Sequence, residues 1–160
     1  MSQPEVAVAS RLALAGAFAF SAGTKLARPS AFSEGLAVFG IPAARVVARV
    51  LPPVEAAVAV LLLLFFDAVW PAVSAIVLLV VFTAAVAVNL VRGREVPCPC
   101  FSPTSAGGRP LSMATLARNV ALLVMAAVAV GPTGDADPVA AAGLSVVAVA
   151  VTLAGLRRFG

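Results

Sequence analysis

The sequence predicts an all-α fold, a polytopic membrane helical bundle, and two observations carry that expectation. Of its 160 residues 62% are hydrophobic and only 11% charged, with a mean hydropathy of +1.09. A soluble domain carries about 25% charged residues, so this chain lacks the polar groups to cover a globular surface in water. The apolar residues, mostly Ala, Val and Leu, also run continuously, in stretches near the ~20 residues that cross ~30 Å of hydrocarbon. Inside a bilayer each span must satisfy its own backbone, and helices do so. The whole of 1–160 therefore reads as one integral membrane domain, with the lipid bilayer as solvent and a cell membrane as location.

The first span is Val6 to Leu26, closed by Lys25, Arg28 and Pro29. It reads as a span that stays, because Glu5 stands where a signal peptide has a basic region and the apolar stretch is long. Ala13, Ala17 and Ser21 recur every fourth position, giving a face that a neighbouring helix can approach closely. Residues 28–50 are mixed, with Arg28, Glu34, Arg45 and Arg49 among Phe32, Phe39 and Val46. They read as a loop with an interfacial amphipathic piece, broken at Gly40-Ile41-Pro42. The apolar run from Val54 to Val88 is too long for one helix, and Asp67, Trp70 and Pro71 break it. This predicts spans over 53–69 and 71–91, a polar loop over 92–110, a fourth span over 111–130 and a fifth over 139–156.

Charge and composition exclude several function classes. The net charge is +4, but the basic residues cluster at span ends, with no run that would mark a nucleic-acid footprint. Histidine is absent, which removes His-ligated haem, His-based metal sites and Ser-His or Cys-His relays. Two cysteines are too few for a structural zinc site, so no metal site is expected. With five spans, Lys25, Arg28, Arg45, Arg49, Arg92, Arg94, Arg109, Arg157 and Arg158 gather on one face. Arg11, Glu5, Asp67, Asp135 and Asp137 lie on the other. The positive-inside rule makes the basic face cytoplasmic and puts the cysteines there. Disulfide chemistry favours the outside, so these two expectations disagree.

Both cysteines fall in Val96-Pro97-Cys98-Pro99-Cys100-Phe101-Ser102-Pro103. Three prolines forbid a helix, so the thiols stand on a stiff, irregular segment at a membrane face. A disulfide needs Cα atoms about 4.4–6.8 Å apart, near the limit for an extended i,i+2 pair. Pro99, with φ near −65°, suits the inverse γ-turn that would close it. Such a bridge is strained, and strained bridges are the labile, oxidising ones; the competing reading is two inert loop thiols. Lys25, Glu55, Asn89, Arg118 and Asn119 fall on the same side of the bilayer. Ionisable groups within spans are costly, face the bundle interior and mark functional sites. Arg118 would either pair with Glu55 to fix helix packing or stabilise a thiolate.

These residues resemble those of the MauE-like membrane proteins, which belong with the DoxX-like group. The resemblance rests on Arg92-Gly93-Arg94, Cys98-Pro99-Cys100-Phe101, Ser112 and Arg118-Asn119, with Ala22-Gly23-Thr24-Lys25-Leu26, Pro52 and Glu55 upstream. The family has Gly where this chain has Pro99 and Ser102, so its cysteine pair is stiffer here. The resemblance implies a four-helix DoxX-like core, to which the span expected over 139–156 adds a fifth transmembrane helix. It also implies a role in forming or transferring disulfides beside a thioredoxin-like partner. The leading expectation is a membrane thiol–disulfide redox protein. Cys98 and Cys100 would cycle between dithiol and disulfide, and Arg118 would hold the reacting thiolate. Lys25, Glu55, Asn89 and Asn119 would support it. A quinone is the electron acceptor left by the lack of a second cysteine pair. The alternatives are a protein handling a soft metal such as Cu(I) through Cys98 and Cys100, and a non-catalytic assembly factor for an exported redox enzyme.

Overall fold

The computed structural model describes residues 3–92 and 113–131, and these form five helices. They are α1 (Gln3–Ala27), α2 (Pro29–Val38), α3 (Ala44–Leu64), α4 (Trp70–Val91) and α5 (Met113–Ala129). α1, α3 and α4 are long and apolar enough to cross a membrane, and α5 is a shorter apolar helix. The protein is a multi-pass membrane protein with a helical bundle fold. The span expected over 139–156 and the loop carrying Cys98 and Cys100 lie outside the described residues.

α1 is the central helix. It packs mainly against α3 and α5, while α4 packs chiefly on α5 and less on α3. Ala7, Arg11, Leu14, Phe18, Ser21 and Lys25 recur at alternating steps of four and three and are buried or nearly so, the spacing that keeps one helix stripe against its neighbours. Leu14 and Phe18 meet Val58 and Leu62 of α3, Leu79 of α4 and Leu122 of α5 in the core. Ala15, Ala59, Ala72, Ala75 and Ala126 in the same cluster let the backbones approach closely. The opposite faces carry exposed Leu64, Val77, Val80, Val81 and Val124. Such side chains are at home in lipid and costly in water.

Between residues 29 and 69 the helices differ from the sequence-based expectation in three respects. α2 is a helix in its own right, with Pro29 in its first turn and Phe32 and Leu36 buried. It ends where expected, at Gly40. There the φ of 82° and the bonds Gly40 N–H to Ala37 O and Ile41 N–H to Leu36 O form a Schellman cap. α3, however, starts at Ala44 rather than near Pro53, and runs through Pro52 and Pro53. Proline's fixed φ is helical, and the cost of its missing N–H is met by packing: Ala48, one turn earlier, is buried against Phe32 and Leu36 of α2. The first turns of α3 thus serve as the floor on which α2 lies. At its other end α3 stops at Leu64 rather than continuing to Val69, and residues 65–69 form the turn into α4, with Phe65 and Trp70 ring-packed at 5.3 Å.

Candidate functional site

The later start of α3 moves Glu55. It stands about three turns inside the helix, not in its first turn, and is 0% exposed. Lys25, in the last turn of α1, is 2% exposed, flanked by Phe32 of α2 and Phe82 of α4. The two form a buried ion pair through Lys25 Nζ and Glu55 Oε1. Lys25 also donates to Ser21 Oγ at 2.8 Å, and Ser21 Oγ lies 3.4 Å from Glu55 Oε1 as donor. The ammonium further sits 5.4 Å from the ring centre of Phe32 and 5.2 Å from that of Phe82. An ammonium in hydrocarbon needs its lost hydration replaced. Here one carboxylate, one hydroxyl and two aromatic faces replace it.

Beside this pair, α1, α3, α4 and α5 line a partly open cavity of about 20 Å³. Its walls are mostly apolar, with Leu14, Phe18, Leu79, Phe82 and Leu122, but Ser21, Glu55 and Asn119 also line it. The structure therefore brings Lys25, Glu55 and Asn119 to one place. Asn89 is buried in the last turn of α4 and donates through Nδ2 to Ala85 O of its own helix at 2.9 Å. Arg118 is half-buried on α5, one position before Asn119. The hydrogen-bonded cation on Glu55 is Lys25, not Arg118. Cys98 and Cys100 belong to the connection between α4 and α5, outside the described residues.

Arg11 is a buried charge that the sequence reading counts only as one cation of the opposite face. It is 1% exposed. Nε donates to Ala129 O at 2.9 Å, and Nη1 donates to Phe65 O at 3.2 Å, to Ala68 O at 2.8 Å and to Phe66 O. Those carbonyls end α5 and form the turn after α3, where helices leave acceptors unsatisfied and the helix dipole is negative. The signal was present in the sequence: Arg11 stands inside an apolar span, where an ionisable residue always needs a partner.

Residues 3–132 match the family described as methylamine utilisation protein MauE. A curated relative, the methylamine utilization protein MauE of Paracoccus denitrificans, is 42% identical over 134 residues, or 81% of this chain and 71% of the relative. No solved structure matches. The family match runs from α1 through α5 and takes in the ion pair, the cavity and the cysteine segment, so the chain belongs to the MauE family.

Proposed function

We propose that the protein is a membrane thiol–disulfide redox component in which Cys98 and Cys100 exchange disulfides with a thioredoxin-fold partner. Methylamine utilisation, which the Paracoccus relative's name gives for that protein, is the process it would serve. One observation carries the reading. Both cysteines of the chain stand two positions apart, between the end of α4 and the start of α5. In the proposed step a Cys98 or Cys100 thiolate attacks the partner's disulfide, one partner sulfur leaves as thiolate, and the second cysteine resolves the mixed disulfide. The partner is reduced and this chain gains a Cys98–Cys100 bridge. In the other direction the Cys98–Cys100 bridge oxidises the partner's dithiol and this chain is left as the dithiol, whose two electrons and two protons a lipid-soluble quinone would take up to become the quinol, restoring the bridge. Arg118 supports the reading as a cation near the start of α5 that would favour the thiolate.

Trapping tests this. A Cys100→Ser variant expressed in native membranes should accumulate a mixed disulfide through Cys98 that reducing agent releases. Absence of any adduct in both single variants, with cellular thiol states unchanged by the double variant, overturns the reading. A second reading is supported by the saturation of the Lys25 ammonium, which leaves that pair well suited to holding helices together. There the protein would be a non-catalytic assembly factor, and a double Cys98→Ser/Cys100→Ser variant would complement fully.

A further inference from the structure

The cavity between α1, α3, α4 and α5 is apolar except at Glu55, Ser21 and Asn119. Among the described residues, Glu55 Oε2 and Asn119 Nδ2 are buried without a hydrogen-bond partner. Glu55 is 0% and Asn119 2% exposed, so bulk water does not serve them. An orphaned buried group costs about 1–3 kcal/mol, and more when charged, and native proteins seldom leave two beside one void. One of these atoms is an acceptor and the other a donor.

We propose that the cavity binds a single hydroxyl group, which donates to Glu55 Oε2 and accepts from Asn119 Nδ2. The chemistry is selective. A carbonyl would satisfy Asn119 but present a second acceptor to a carboxylate. A cation would meet the Lys25 ammonium already on Glu55 Oε1. An apolar chain would leave both orphans unpaired. A hydroxyl fits both. The volume of about 20 Å³ exceeds the ~10–15 Å³ that one water requires, so a single water fills the site as it stands. The hydroxyl of a quinol carries the same chemistry, and its ring would have to displace Leu79 or Phe82. The proposal does not depend on the cysteines, so it stands or falls separately from the redox reading.

Infrared difference spectra of the full chain in lipid nanodiscs, in ordinary against heavy-oxygen water, test it. The wild type should show one isotope-shifted O–H band of an ordered water, and Asn119→Leu should lose it. Ala17→Val, which fills the cavity from an apolar wall without touching the ion pair, should lose it as well. Added decylubiquinol distinguishes the source of the hydroxyl. A band that persists identifies water, and a band replaced by a bound phenol signal identifies the quinol at the same site. No isotope-sensitive band with no bound phenol signal overturns the proposal, as does a band unchanged in both variants.

Discussion

Arg11 and Lys25 stand on one stripe of α1, about 21 Å apart along its axis at ~1.5 Å per residue, and both are buried. Each fastens α1 to other parts of the bundle. Lys25 engages Glu55 of α3 together with the rings of Phe32 in α2 and Phe82 in α4. Arg11 engages the α3–α4 turn and the end of α5. The central helix is thus keyed at both ends by a cation, one paired with a carboxylate and the other with backbone carbonyls.

Arg11→Leu should be among the most destabilising single substitutions in the chain. It removes a charged donor from four carbonyls that then sit buried without it, and hydrogen bonds from charged groups contribute about 1.5–3 kcal/mol each before overlap. A net loss above about 3 kcal/mol is expected, with new protease cleavage at 65–69. Arg11→Lys should recover only part, because a single ammonium cannot reach Ala129 O and the turn together as the guanidinium fork does. Denaturant unfolding in mixed micelles and limited proteolysis measure both. A wild-type profile for Arg11→Leu would show that the carbonyls find other donors.

Lys25 and Glu55 should behave as a coupled pair. Removing one partner leaves an uncompensated buried charge, which costs about 3–5 kcal/mol. Lys25→Met and Glu55→Leu should each show such a loss, because each leaves the other charge buried and unpaired. The double variant Lys25→Met/Glu55→Leu should be more stable than either, since it removes both charges and refills the volume. A double-mutant cycle measured by unfolding in mixed micelles gives the coupling. Simple additivity of the two single losses would count against the pair as the organising contact.

How much of this was legible in the sequence follows from what each residue needs. The membrane class needed only composition and run length. Lys25, Glu55 and Asn119 can be singled out because each is polar within an apolar span; Arg11 meets the same criterion, although its charge also reads as one of those that mark the opposite membrane face. The choice of Lys25 over Arg118 as the cation on Glu55 could not be read, because it depends on the depth at which α1 and α3 cross. That depth in turn hinges on Pro52-Pro53. A Pro-Pro step reads equally as a helix start or as a tolerated interior, and only the packing of α2 on Ala48 decides it.

Ala43 offers a stabilising change. It precedes α3 with φ of 52° and ψ of 40°, a left-handed conformation that costs an L-residue with a Cβ about 1–2 kcal/mol and glycine almost nothing. Its carbonyl accepts from Val46 and Val47 N–H at 2.8 and 3.1 Å, so the conformation is needed to start the helix. Ala43→Gly should raise stability by about 1 kcal/mol or slightly less, the gain being trimmed by glycine's greater freedom in the unfolded chain. A lower unfolding midpoint would show that Ala43 is not held in that conformation in the membrane.

The proposed role of Arg118 makes a prediction that a purely structural arginine would not. A cation near a thiol favours the thiolate, which is the nucleophile in alkylation and exchange. Arg118→Gln should therefore slow the alkylation of Cys98 and Cys100 at neutral pH, by roughly three- to fourfold for each unit of thiol acidity lost, because the tenfold fall in thiolate is partly offset by the greater nucleophilicity of the less acidic thiol. Arg118→Lys should retain most of the rate because the charge remains. The unfolding midpoint, measured in parallel, separates the two explanations: a structural arginine moves the midpoint and leaves the alkylation rate of the folded protein alone. Equal rates in wild type and Arg118→Gln would assign Arg118 to the scaffold and remove it from the redox site.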